Sequence, residues 1–352
     1  MIHYYLQIVD ELDQGEVANF EKALDRAIEV FPKDSALLFY KGLLYKLTDR
    51  KKEGSKILRS IPVNEGQDVS EFTHQLATLG QILYNLGKPN IAATIYQTAS
   101  TQHLFLSPYQ RPLLFLEDIE TKPVWPADLE GNLDDGLTPY KNPLTELISN
   151  WESIRDEALD VGKNISANLN WIRLPYFVAN PGNLVTAPKE PNSGAWNVYP
   201  LYMWSKKKNA ACTSAPNTCA LLKTHFPDAT KCPSCTVKFI KLDPKVNIQP
   251  HCAPTNDKLR IYLGLSNSEK LKYVIQGGSP KEGEEVPIVD GKLQVVDESH
   301  AHSLLNMSDD VPVYLLAIDF YHPNLPIKWL QGETKKEGLN MAEQGQNMFV
   351  MH

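Results

Sequence analysis

Over the first hundred positions apolar residues recur at three- and four-residue steps; later they alternate with polar ones. Phe20, Ala23, Leu24, Ala27, Ile28 and Phe31 share one face of a predicted helix that Pro32 and Asp34 end. Leu38, Gly42, Tyr45 and Leu47 mark a second helix, and Ile57, Leu58 and Ile61 a third. Leu76, Leu79, Gly80, Leu83 and Tyr84 set a further helix; after Gly87-Lys88-Pro89, Ala92, Ala93, Tyr96 and Ala99 set its partner. From 101 to 143 prolines and aromatics replace this periodicity: Pro108, Pro112, Pro123, Trp125, Pro126, Pro139 and Pro143. Leu147, Trp151, Ile154, Ala158 and Val161 then predict one amphipathic helix over 144–165. Beyond Asn180 the chain is loop-rich as far as Trp196. Leu259, Ile261 and Leu263 alternate with Arg260 and Tyr262, the period of a strand with one apolar face and one carrying Arg and Tyr. The polar, weakly patterned end predicts disorder over 331–352.

The chain therefore divides into a helical domain at 1–106, a connector at 107–143 that lies along the second domain, a domain at 144–330, and a tail. The length, 352 residues, agrees with two domains. Small residues where the paired helices would touch, with a turn between, resemble tetratricopeptide repeats, although Gly80 falls four residues out of the register that Pro32 and Gly42 keep. Such an arm offers either a concave surface for a peptide partner or a cap on the second domain. A net charge of −7 speaks against a nucleic-acid partner and against adsorption to an acidic membrane. No apolar run is long enough to span a bilayer. The amino-terminal stretch MIHYYLQIVDELDQGE lacks the basic-then-apolar order of a secretion signal. The expectations are a cytoplasmic chain, a fragment, or a targeting segment outside this sequence.

Candidate chemistry concentrates in the second domain. His251 follows Pro250 at the end of one strand, and His302 lies about fifty residues on. As neighbouring strands of a small barrel, the two segments would each deliver an imidazole to a shared interior, suited to Fe(II), Cu or Zn. Spacing alone equally allows two hydrogen-bonded histidines with no metal. A strand ending at His302 puts Glu298 on the face of His302 and Asp297 on the other; neither is expected to ligate. Four of the five cysteines fall between 212 and 235. Cys232-Pro233-Ser234-Cys235 reads as a redox pair, half a zinc site, or two unrelated thiols, and the Cys212–Cys219 spacing suits a zinc ribbon poorly. Asn164-Ile165-Ser166 and Asn306-Met307-Ser308 are glycosylation sequons.

Residues 108–325 carry longer landmarks. These are Gln110-Arg111-Pro112, the WESIRDE run from Trp151 to Glu157, Ala211-Cys212 with Ala215-Pro216, and Thr218 to Leu222. They continue with the 250–265 run and the DFYHP run from Asp319 to Pro323. In that order they resemble the aspartyl/asparaginyl β-hydroxylase family, Fe(II)- and 2-oxoglutarate-dependent dioxygenases. The resemblance implies an α+β multidomain chain, with N-terminal tetratricopeptide-like repeats followed by a double-stranded β-helix of the jelly-roll or cupin-like kind. It makes His251 and His302 the iron ligands. Ala253 stands where related oxygenases place a ligating carboxylate and this family has glycine. It also implies a Cys212–Cys219 disulfide, hence the oxidising lumen of the endoplasmic reticulum, and a protein substrate with epidermal-growth-factor-like domains hydroxylated on Asp or Asn. Arg260 and Tyr262 would hold 2-oxoglutarate, with Tyr262 where the family has histidine. Lys258 would meet the substrate, in place of an arginine and without its bidentate fork. Three departures weaken the cosubstrate and substrate grips: Val313 at the position of the main 2-oxoglutarate arginine, Ile240 at a serine, and Val198 at a glutamine. A family member that has lost turnover and survives as a protein-binding module is the alternative.

Overall fold

Packing divides the chain into two units, one within residues 1–108 and one from 109 onward. In this computed structural model the described residues are 17–325, apart from 31, 33–34, 48–49, 61–75, 77–79, 81–88, 102–104, 113–114, 117, 164–169, 175–194, 254 and 277–282. The tail at 331–352, the loop region at 180–194 and the sequon at Asn164 lie outside them.

The first unit contains α1 (Val17–Val30), α2 (Ser35–Leu47), α3 (Lys51–Arg59) and α4 (Pro89–Thr101). A side chain at Gly42 would meet Leu58 Cγ at 2.6 Å, so glycine lets α2 and α3 approach closely. Leu24, Phe39, Leu44, Leu58, Ala92, Ile95 and Ala99 are buried here. Among the described helices α2 packs against α1 and α3; repeat register also depends on 61–88, most of which lies outside the described residues.

From 109 on, the segment expected as a connector at 107–143 is built into the second unit. Its strand β1 (Val124–Trp125) pairs with a core strand, and Trp125 is fully buried. Next come the hairpin β2 (Ala127–Asp128) and β3 (Asn132–Leu133) and two helices, α5 (Lys141–Ser149) and α6 (Trp151–Gly162). One helix was expected over 144–165; the chain instead breaks at Asn150, whose side-chain amide donates to the Glu146 carbonyl at 2.8 Å. A side chain that bonds the preceding turn competes with continuation of the helix. Then follow β4 (Ile172–Leu174), β5 (Trp196–Met203), β6 (Lys206–Lys207), α7 (Asn209–Ser214), α8 (Pro216–His225) and α9 (Pro227–Thr230).

Eight strands complete the unit: β7 (Thr236–Leu242), β8 (Asn247–His251), β9 (Lys258–Ser266), β10 (Leu271–Ile275), β11 (Glu284–Pro287), β12 (Leu293–Val296), β13 (His302–Asn306) and β14 (Val313–Tyr321). The large sheet runs β1-β12-β9-β14-β7-β5-β4, with β6 on β5, and the small sheet runs β11-β10-β13-β8; all their pairings are antiparallel. From β7 to β14 the chain switches between the sheets at every step except β10 to β11. That order is the connectivity of a double-stranded β-helix. Alternation sorts β9: Leu259, Ile261, Leu263 and Leu265 pack with α6 and the other helices, and Tyr262 packs between the sheets with Ile248, Tyr273 and Leu304.

Several landmark residues prove to be fasteners. Glu157 accepts from the backbone of Asn217 and Thr218 and from the Thr218 hydroxyl at 2.6–2.9 Å, capping α8. Asn256 bonds both backbone groups of Leu116, and the His322 ring stands edge-on to Trp125. Disulfides join Cys212 to Cys219, between α7 and α8, and Cys232 to Cys235, in the turn before β7. The second pairing leaves no thiolate there for half a zinc site. Asn306 corrects the sequon reading: it is fully buried, and its amide donates to the carbonyls of Leu242, Asp243 and Val311 at 3.0–3.1 Å. Replacing Asn306 by Ala leaves those carbonyls unpaired, at about 1–3 kcal/mol for a buried polar group. Denaturant titration is expected to show a loss of about 2 kcal/mol or more, and peptide mapping of secreted protein no glycan at Asn306; a neutral variant or an occupied site contradicts this.

Candidate functional site at the mouth of the two sheets

The end of β8 and the start of β13 place His251 and His302 directly opposite each other in antiparallel register. Their ring centroids are 4.2 Å apart, and His302 is buried. The His302 Nδ1 lies 2.9 Å from the His300 carbonyl, which can only accept, so Nδ1 carries the proton and Nε2 points towards the Glu298 carboxylate. The Tyr273 ring is 6.1 Å from His302, and its fully buried hydroxyl makes no hydrogen bond. A buried unpaired hydroxyl on a ring next to His302 marks a place for another polar group.

Residues 297–301 form a turn rather than the strand that was expected to end at His302, yet the turn carries Glu298 back onto that ring. The Glu298 Oε1 lies 3.2 Å from His302 Nε2 and accepts from the Tyr262 hydroxyl at 2.5 Å. Its other oxygen pairs with Arg260 Nη1. Arg260, opposite Asp319 across β9 and β14, also donates from Nε to Asp319 at 2.6 Å. The second oxygen of Asp319 takes the amide and hydroxyl of Thr236. Gln110 props the turn from behind, donating to Ser299 and Thr121, while Thr121 donates to Asp297. Asp297 is thus bonded within the turn, to Thr121 and the Ser299 amide, and burial pushes its carboxyl up to about 6.

Electrostatics follow from those contacts. Burial works to raise the Asp319 carboxyl, but the charges of Arg260, Lys258 and Lys238 outweigh it and hold the group well below the usual carboxylate range. Glu298 is lowered too, burial being overcome by Arg260, His302 and Tyr262. On β7, Lys238 is pushed down to about 8 by burial and by Arg260, against the pull of Asp319 and Glu298. Lys258 donates to the Ser234 carbonyl at 2.7 Å, beside the Cys232–Cys235 turn.

The mouth therefore gathers His251, His302, Arg260 and Tyr262, with Lys258 two residues along the same strand face. Local pattern did not point to Lys238, Tyr273 or the role of Glu298 and Asp319 as partners of Arg260. A lysine in step with Ile240 and Leu242 on an inward-facing strand was the available sign of Lys238. Ile240, Val198 and Val313 are buried in the shared core, where Val198 pairs with Ile240 and Val313 with Leu242. Among the described residues no group of three His, Cys, Asp or Glu side chains is placed to hold a metal ion. The donor set for iron is the imidazole pair, which fits a divalent ion through nitrogen lone pairs. For 2-oxoglutarate the residues do not fit as they stand: Arg260 and Tyr262 are already bonded to carboxylates of the chain.

A profile of the Aspartyl/Asparaginyl beta-hydroxylase family matches residues 148–323, half of the chain. This chain belongs to that family. The human protein named aspartyl/asparaginyl beta-hydroxylase is 25% identical over 320 residues, 88% of this chain and 37% of that protein. Its mouse counterpart is 25% identical over 318 residues, 88% of this chain and 38% of that protein. The chain thus spans less than two fifths of the length of these curated relatives. Among solved structures, a predicted oxalate decarboxylase from Thermotoga maritima is 16% identical, covering 37% of this chain and 84% of its own, with a TM-score of 0.24. A Cupin_2 domain of an XRE family transcriptional regulator from Enterobacter cloacae is also 16% identical, covering 36% and 96%, with a TM-score of 0.22. The fold assignment rests on strand connectivity, not on those two likenesses.

Because the folded pKa of Asp319 is depressed, its contribution to stability is present above the unfolded value near ~3.9 and is lost as pH falls through the folded value. Thermal unfolding between pH 7 and pH 2 is expected to show Asp319→Asn less stable than wild type at pH 7 and less sensitive to acid. Parallel acid limbs contradict this. Arg260→Ala strands two buried carboxylates and is expected to cost about 3–5 kcal/mol at pH 7.

Proposed function

We propose that this chain binds one ferrous ion through His251 and His302 and, with a 2-oxo acid as the two-electron co-reductant, hydroxylates the β-carbon of Asp or Asn residues in a protein substrate. The observation that carries this is the cross-strand pairing of the two histidines, with the His302 ring oriented by its Nδ1 bond and its Nε2 facing Glu298 at the mouth. A ferrous ion held by His251 and His302 would supply oxygen activation. Of the chain's own groups, the His300 carbonyl fixes the His302 ring, and Lys258 stands at the mouth for a substrate carboxylate. Epidermal-growth-factor-like domains are the substrate class that the family resemblance suggests. Two disulfides support a location in an oxidising lumen, that of the endoplasmic reticulum. Among the described residues no helix is long and apolar enough to cross a membrane.

A second reading is favoured by one observation: Val313 is buried among apolar residues, and Arg260 and Tyr262 are taken. In it the same mouth binds metal without turnover, and the chain acts as a protein-binding module with a peptide held on the helical arm.

Anaerobic titration with Fe(II), together with mass spectrometry of an epidermal-growth-factor-like domain after aerobic incubation with 2-oxoglutarate, separates the two. The first predicts one equivalent of iron and one added oxygen on Asp or Asn, both abolished in His302→Ala. Iron binding with no added oxygen at any 2-oxoglutarate concentration favours the second. Iron binding that survives in both His251→Ala and His302→Ala contradicts both.

A further inference from the structure

We infer that Glu298 is an internal competitor for the carboxylate position of the mouth, and that it selects against dicarboxylate 2-oxo acids such as 2-oxoglutarate. This rests on reading the mouth as the reaction site, and it names what stands between that site and its cosubstrate. Tyr262 has one hydroxyl proton, and it goes to Glu298 Oε1. Arg260 uses Nη1 on Glu298 and Nε on Asp319. An incoming carboxylate would find the Tyr262 proton taken and two carboxylates already against the Arg260 guanidinium, and the neighbouring strand positions offer it Ile240, Val198 and Val313.

Glu298 also holds its place with an advantage that a free ligand lacks. Its carbonyl accepts from the Ala253 amide at 2.6 Å, beside His251, and the turn is closed by His300 N donating to the Asp297 carbonyl. The carboxylate is therefore delivered on a fixed backbone and loses little freedom on pairing, whereas a dissolved dicarboxylate loses translation and rotation. Displaced, Glu298 would leave a nearly buried charge beside His302 without its cation, a further penalty on exchange.

The test is calorimetric titration of 2-oxoglutarate into the full chain and into Glu298→Ala and Glu298→Gln, each with and without Mn(II). Manganese binding is followed separately by its electron paramagnetic resonance signal, and folding by thermal melting. Glu298→Ala is expected to bind 2-oxoglutarate at least about tenfold more tightly than wild type, and adding Arg260→Ala is expected to remove the gain. Glu298→Gln, which keeps the shape but not the charge, is expected to fall between, and it decides the matter by its own gain if the alanine variant does not fold. Equal affinities, tighter binding by wild type, or no binding by any variant overturns the inference. Loss of manganese binding at His251 and His302, with the contrast between variants intact, overturns the metal reading instead.

Discussion

A guanidinium held between two buried carboxylates organises the open end of this fold. Arg260 projects from the middle of the large sheet and reaches Asp319 on the next strand and Glu298 on the turn that leads into the small sheet. A buried ion cluster of this kind adds little to stability compared with apolar packing, but removing one member leaves the others uncompensated. It therefore acts mainly as a constraint on position. By pairing with Glu298 the cluster fixes the 297–301 turn, and that turn sets where β13 begins and so where His302 stands against His251.

The same constraint links two features that look independent along the chain. Oxygenase chemistry at a ferrous ion calls for nitrogen ligands and a second grip on an acidic cosubstrate. The histidines sit in register, and Arg260 and Tyr262 are already bonded to Glu298 and Asp319 of the chain itself. Val198, Ile240 and Val313 then read as one change rather than three, since all three pack in one apolar cluster next to the ion cluster. Where no ligand carboxylate arrives, an apolar wall is the stable lining, because an unpaired buried cation there would have no partner.

Much of this architecture could be read from local pattern. The alternation of Leu259, Ile261 and Leu263 with Arg260 and Tyr262 fixed the two faces of β9, and the helical periodicity before residue 100 located α1 to α4. The landmarks around Glu157, Thr218 and Asn256 were visible as motifs, though their work as caps and fasteners shows only in three dimensions. Asn150 was not legible as a break, because a side chain that bonds the previous turn leaves the apolar periodicity intact. The Asn306 sequon misled because burial is set by distant strands. Pairing of Glu298 with Arg260 spans 38 residues and depends on a turn whose direction the alternation rule cannot give.

Iron-edge anomalous diffraction from crystals of the full chain grown anaerobically with Fe(II) tests the central claim most directly. The account predicts one peak within about 2.2 Å of His302 Nε2 and of a ring nitrogen of His251, with Glu298 still paired to Arg260. A peak at any other place, or the two imidazoles turned apart in the iron-loaded crystal, would contradict it.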